Sequence, residues 1–303
     1  MVRKKALVLL NEAAGKKKGP KNVLLFLERI ARQGFEPVIY PIIPGTGLTS
    51  EKILSHYDGD VDLVICIGGD GTLNHVVGSV MEMKSRPCIG YIPSGSTNDF
   101  SKSLGIPATT MAALDVALGK NMIMYDVGRI NDRYFNYTAA FGAFSEISYA
   151  TDQKLKNALG YAAYVLNAAV NLHKNLSFKQ RLKIEGEDFV ENGEFVFGTV
   201  CNSISIGGMK LLSNVDVKLD DGKMELLLIR APQNVADISA IAAKLMRGDM
   251  DDPHIIFRQV TEVTVRSKDK IGWSVDGEFG GEYKVSRISV ENRAVSIKTG
   301  KHV

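Results

Sequence analysis

A doubly wound α/β domain followed by an antiparallel β-sandwich is the architecture this 303-residue sequence predicts. Three observations carry that expectation. Up to residue 127, short apolar runs alternate with amphipathic helical stretches, the pattern of a mostly parallel sheet covered on both faces. After Gly128 strand-like runs follow one another with turn chemistry between them, as in antiparallel sheets. The length also exceeds what one hydrophobic core usually serves. The expected domains are 1–127 and 128–286, with the tail from about 287 to 303 free to return to the first.

The elements follow in order. Apolar runs at 6–10, 37–43, 63–67, 88–92 and 122–127 read as strands, and 21–33, 50–56, 72–83 and 110–118 between them read as helices. The second half opens with one long helical pattern at 152–173. Strands are expected at 178–185, 194–202, 224–229, 255–265 and 289–297, with one more helix at 235–247. The turns "EGED", "LDDGK" and "ENRA" punctuate this half.

Composition narrows the function classes. A hydrophobic content of 45% with 23% charged residues is that of a soluble globular protein. The first apolar run reads as a strand rather than a signal segment, and the most apolar stretch, "ALGYAAYVLNAAVNL", carries two asparagines and falls short of a span of ~20 residues. Cys66, Cys88 and Cys201 have neither pairing nor zinc spacing, which fits buried free thiols in a reducing cytoplasm. The five histidines make no metal-binding spacing. Residues 1–32 carry a net +7 and the remainder −4, a solvated face or a basic surface for nucleotide phosphates or an anionic bilayer.

Two glycine loops carry the chemistry. In "VICIGGDGTLNHVV" an apolar strand runs into Gly68, Gly69 and Gly71, where the backbone can turn freely and a ligand can come close. Thr72 is placed to cap the helix that follows, whose first N–H groups form an anion site. A carboxylate at Asp70 points to a magnesium ion, a ribose or a reacting hydroxyl; a tight strand-to-helix turn explains the same spacing. Neither a P-loop nor the Gly-x-Gly-x-x-Gly dinucleotide fingerprint is present. The second loop, "IPSGSTNDF", leaves the next strand at the same end of the expected sheet, where open α/β sheets bind ligands. Ser94, Ser96, Thr97 and Asn98 offer phosphate donors and Asp99 a second carboxylate, although alone this loop reads as an ordinary turn.

"GGDGTLN", "PSGSTNDF" and "VDGEFGGE" together resemble the diacylglycerol kinase catalytic-domain family of soluble bacterial lipid kinases, relatives of sphingosine kinases. The likeness extends to "YDVGRINDRYFNY", "KLKNALGYAAYVL" and "GGMKLLSNVDVKLDDGKMELLLI", and so runs through essentially the whole chain; the first motif alone is shared with NAD kinases. The sequence departs from the family pattern at His75, in "NEAAG", at Ser96 and in "PII", positions that bear on nucleotide preference.

The resemblance implies a nucleotide-binding first domain, in which Asn11, Gly15, Gly68, Gly69, Asp70, Gly71, Thr72, Leu73, Asn74 and Ser96 hold ATP. It implies a lipid-binding second domain and transfer of the γ-phosphate of ATP to a lipid hydroxyl, most simply that of diacylglycerol. Such a hydroxyl needs a proton acceptor. "VDGE" offers Asp276 and Glu278, which would share a face in an extended strand, or else form a plain Asp-Gly turn. Asp276 is the preferred base, with Glu278 next, and on this reading Asp276→Asn would spare folding. Magnesium has two expected homes. One is Asp70, Asp99 and Asp126 at the phosphates; the other, implied by resemblance, is structural, with Asp221 and the carbonyls of Lys218 and Lys223. The long helix reads as core, or as one wall of an acyl-chain slot between the domains. The expected partners are a lipid and the inner face of the membrane, approached peripherally from the cytoplasm. No nucleic acid is expected, and a homodimer is allowed. An NAD kinase and a nucleotide-binding regulator without turnover are the rival readings.

Overall fold

The computed structural model describes residues 4–11, 23–43, 45–95, 98–142, 179–203, 212 and 215–300. They belong to two compact units, Met1–Val127 with Arg293–Val303, and Gly128–Asn292. The expected long helix at 152–173, Gly15 and Ser96 lie outside the described residues.

In the first unit, β1 (Lys4–Asn11), β2 (Phe35–Ile42), β3 (Leu63–Gly68) and β4 (Cys88–Pro93) are parallel, in the order β4-β3-β1-β2. β3 is buried along its full length, which is why it reads as an unbroken apolar run. The helices are α1 (Val23–Arg32), α2 (Ser50–His56), α3 (Asp70–Glu82), α4 (Asp99–Ser103) and α5 (Thr110–Ala117). Arg29 of α1 grips Asp115 of α5 through two hydrogen bonds of 2.8 Å, and Ser79 of α3 bonds Ser50 of α2 at 3.2 Å. β5 (Met122–Ile130) carries the chain out of this unit. It returns on β13 (Glu278–Lys298), whose Ile297 pairs in parallel with Ile89 of β4, and the Gly300 N–H then donates to the Leu104 carbonyl at 2.9 Å.

The second unit is antiparallel, with β6 (Arg133–Phe135), β7 (Thr138–Gly142), β8 (Gln180–Gly186), β9 (Val190–Cys201), β10 (Met224–Arg230), β11 (Ile255–Val260) and β12 (Glu262–Val275). The long strands β9 and β12 each pair with both β7 and β8, which folds the sheet into the expected sandwich. Its interior is packed by Phe135, Phe141, Phe195, Leu228 and Trp273, with Phe141 and Trp273 edge to face at 5.0 Å. A second apolar layer lies on the outer face of β9 and β10, where α6 (Val235–Met246) contributes Ile241 and Leu245. Asn234 caps that helix in a reciprocal pair with Asp237.

Several expectations change. The single strand expected at 255–265 is two, because the chain bends at Thr261, whose carbonyl accepts the Val290 N–H at 2.9 Å. The strand expected at 289–297 is the end of a 21-residue one. β5 continues three residues past the expected boundary, and α4, β6 and β7 were not anticipated.

One buried charge stands out in the second unit. Glu225 is fully buried on β10; its Oε1 accepts from Gln259 at 3.3 Å, and its Oε2 has no partner among the described residues. Burial pushes its pKa from the ordinary 4.5 up to about 7. The folded chain therefore holds a proton there that the unfolded chain has released. Stability from this group is complete below about pH 4.5 and is lost as pH rises through about 7. The loss is on the order of 3 kcal/mol. Glu225→Gln is expected to flatten that slope in denaturant titrations between pH 5 and 8; an unchanged slope would assign it to other groups.

Candidate functional site

β3 ends at Gly68 and α3 begins at Asp70, so Gly69 alone makes the turn and occupies the cap position. No side chain caps this helix, which corrects the role expected of Thr72. The helix starts two residues earlier than its apolar pattern does. Thr72 therefore sits inside the first turn, and its hydroxyl accepts from Asn11 Nδ2 at 2.7 Å, tying the end of β1 to the loop. Gly68 is required by space, since a Cβ there would lie 2.4 Å from the Thr72 Cβ. Leu73 is buried in the core and its N–H already donates to the Gly69 carbonyl at 3.0 Å, so it has no group to offer a nucleotide. Gly71 and Asn74 are half-buried on the same turn.

The second loop packs directly on the first. Ser94 N–H donates to the Gly68 carbonyl at 2.8 Å, and a Cβ on Gly95 would lie only 2.6 Å from the Gly69 Cα. The two loops touch backbone to backbone. Asn98 adopts the left-handed conformation, at φ 49, and its side chain closes the loop on itself: Oδ1 accepts from Gly95 N and Nδ2 donates to the Gly95 carbonyl, both at 2.9 Å. The amide expected to serve phosphate is thus used to shape the loop.

Asp70 stands where the loops meet. Its Oδ2 accepts from Asp99 N at 3.1 Å, while Oδ1 is buried and has no hydrogen-bond partner among the described residues. Burial raises its pKa, and the neighbouring Asp99 charge adds to the effect. Asp99 is itself buried and paired with Lys102 at 2.9 Å. The expected cluster of Asp70, Asp99 and Asp126 does not form: among the described residues no three His, Cys, Asp or Glu groups are placed to hold a metal. Asp126, fully buried, instead accepts the backbone N–H of Arg293 at 2.7 Å and so supports a residue at φ 47. One buried carboxylate oxygen, without a hydrogen-bond partner among the described residues and beside a helix N-terminus, still fits magnesium, which keeps most of its shell as water and phosphate oxygens.

In the second unit "VDGE" is a two-residue hairpin turn between β12 and β13, with Asp276 at φ 47 and Gly277 at φ 86, the type I′ geometry favoured by Asp-Gly. Asp276 and Glu278 therefore do not share an extended strand. The Asp276 side chain is 3% exposed, and its carboxylate accepts three backbone N–H groups: Asn136 at 2.7 Å, and Tyr137 and Thr138 at 3.0 Å each. A carboxylate offers about four acceptor positions, and at least three are taken. Glu278 is exposed at the first position of β13. Asp276→Asn, expected from sequence to spare folding, should instead lower the melting temperature by several degrees, because an amide NH₂ would face backbone donors. A melt at the wild-type temperature would show that these three bonds add nothing.

In "LDDGK" the exposed Asp221 folds back on its own turn, accepting Lys223 N at 3.0 Å, with Gly222 at φ 79. Lys218 is exposed and paired with Asp216. Glu225 lies behind this hairpin, close enough for the Asp221 charge to help raise its pKa. Sequence reasoning missed Glu225, although a single carboxylate inside the apolar strand "MELLLI" was a signal for it.

A doubly wound unit with two abutting glycine loops at the carboxyl ends of adjacent strands, joined in one chain to an antiparallel sandwich, defines a two-domain α/β plus β class. The diacylglycerol kinase catalytic domain model matches residues 5–130, and the YegS C-terminal NAD kinase beta sandwich-like domain matches residues 140–299. A diacylglycerol kinase of Staphylococcus carnosus (strain TM300) is 30% identical over 303 residues, covering 100% of this chain and 97% of its own length. One from Staphylococcus aureus (strain MRSA252) is 31% identical over 293 residues, covering 96% and 91%. A crystal structure of a diacylglycerol kinase from Bacillus anthracis str. Sterne shares the fold, with a TM-score of 0.75 at 19% identity over 100% of this chain and 99% of that one. A second structure from the same strain reaches 0.81 at 22% identity, covering 99% of each. The chain belongs to the diacylglycerol kinase catalytic-domain family.

Proposed function

We propose that this chain is a lipid kinase that transfers the γ-phosphate of ATP to the hydroxyl of a lipid, most simply diacylglycerol, giving phosphatidic acid. The observation that carries the reading is the pair of touching glycine loops around Asp70, whose buried Oδ1 has no hydrogen-bond partner among the described residues. The early N–H groups of α3 and the bare backbone of Gly68 and Gly69 bind phosphate oxygens. Asn11 holds Thr72 in place beneath them. Asp70 holds magnesium, directly or through water, and the ion when bound neutralises phosphate charge. Ser96 and Gly15 complete the nucleotide set by family likeness.

Glu278, rather than Asp276, takes the proton of the lipid hydroxyl. Its neighbour is committed to three backbone amides and serves to fix the turn from which Glu278 projects. As the lipid oxygen bonds to the γ-phosphorus, the bond from that phosphorus to the bridging β–γ oxygen breaks, ADP leaves, and the hydroxyl proton goes to Glu278. By family likeness, Asp221 with the carbonyls of Lys218 and Lys223 would hold a second, structural magnesium that clamps the hairpin. Among the described residues no helix is long and apolar enough to cross a membrane, so on this reading the enzyme meets its lipid as a peripheral visitor.

Labelled ATP incubated with the protein, magnesium and vesicles containing diacylglycerol should yield labelled phosphatidic acid. A mixed lipid extract then ranks other acceptors. Label appearing only in a dinucleotide, or in nothing, would sink the lipid kinase reading.

A further inference from the structure

We propose that Phe279 is a substrate-contacting residue, whose ring packs against the glycerol carbons and first acyl carbons of the lipid that meets Glu278. The inference rests on the lipid kinase reading above and adds a residue to it. Among the described residues Phe279, 57% exposed, is the only Phe, Tyr or Trp that stands in the open. Single exposed apolar side chains are common on protein surfaces. What sets this one apart is how firmly it is held, and beside what.

The pairing of β12 with β13 slips by one residue here: Trp273 faces Gly281 and Ser274 faces Phe279, so Gly280 is the extra residue of a bulge. A Cβ on Gly280 would lie 2.4 Å from Val275 Cγ2, so the bulge closes this tightly only around glycine. Bulges break the strict alternation of a strand and re-aim its side chains. Ser274 is buried while its partner Phe279 is exposed, and Glu278 and Phe279, though consecutive, are both open to solvent. The Phe279 carbonyl accepts from Arg133 Nη1 at 2.9 Å. Arg133 begins β6, and the same short segment supplies the amides of Asn136, Tyr137 and Thr138 that hold Asp276. The hairpin is thus gripped on both sides of Glu278, at Asp276 and at Phe279. In diacylglycerol the free hydroxyl sits on the carbon next to one that bears an ester-linked chain. An acceptor oxygen placed at Glu278 brings that chain's first carbons within reach of a neighbouring side chain, and Phe279 is the apolar surface there.

The test is steady-state kinetics with labelled ATP for wild type, Phe279→Leu and Phe279→Ser, alongside thermal melts and calorimetric titration with magnesium–ATP. The acceptors are dihexanoylglycerol dispersed in water and long-chain diacylglycerol in vesicles. Phe279→Ser should raise KM roughly tenfold for both acceptors, the scale of losing one apolar ring contact, with kcat within about twofold of wild type. Phe279→Leu, which keeps an apolar contact, should recover most of the loss. Melts and magnesium–ATP affinity should match wild type, because the ring is exposed and lies outside both glycine loops. A KM raised on vesicles alone overturns the contact, since the ring would then anchor the protein to the bilayer. A fall in kcat at unchanged KM overturns it too, because the ring would then only position Glu278. Unchanged kinetics, or a melt lowered by several degrees, has the same force. Wild type that phosphorylates neither acceptor overturns the lipid kinase reading itself, and this contact with it.

Discussion

Glu278→Gln is expected to lower turnover by ~10²–10⁴-fold, the usual contribution of a positioned general base. The residue is exposed at the start of β13, so the substitution should leave the melting temperature unchanged. Affinity for magnesium–ATP should also persist, since the residue lies outside both glycine loops. Turnover measured on diacylglycerol vesicles at saturating ATP, beside a melt, checks all of this. Asp276→Asn gives the contrast: its deficit should appear first in stability. A stable Asp276→Asn chain with lost turnover, next to an active Glu278→Gln chain, would return the base to Asp276.

Asp70→Ala should remove binding of magnesium–ATP by roughly a hundredfold, the scale of one charged ligating group at 1.5–3 kcal/mol. The same change should leave the melting temperature level or raise it. A carboxylate whose pKa is raised by burial, with one oxygen unpartnered among the described residues, is a strained feature of the folded state. Removing it relieves the fold while disabling the site, the trade expected where function needs a group that stability does not. A strongly destabilised Asp70→Ala chain would make the residue structural and overturn its assignment to the metal.

Much of the fold was legible because it rests on local pattern. The buried run of β3, the strand–helix alternation before β5 and the turn residues between later strands all reflect periods visible in a short window. What was hidden depended on distance. Nothing local marks β13 as one strand, since "ENR" near its middle looks like a turn. The five residues of α4 are too few to show a period. The glycine loops were legible as places of close approach, but what approaches Gly69 is Gly95 rather than a ligand alone. Asp276 was misread for the same reason. Two carboxylates in "VDGE" look equivalent until the amides that occupy one of them arrive from 140 residues away in the chain. Chemistry was legible from residue type; the division of labour between neighbours required the contacts.

The return of β13 to the first unit bears on how the protein is made. Ile297 lies beside Ile89, and Gly300 bonds Leu104, so the parallel sheet acquires these partners only after every residue of Gly128–Asn292 has been synthesised. During translation β4 waits as an open edge, able to pair with another nascent chain. The sandwich, by contrast, is uninterrupted in sequence and can close first. The parallel sheet of the first unit is therefore built from segments made at both ends of this stretch of chain, and its edge at β4 is covered only when the last of them arrives.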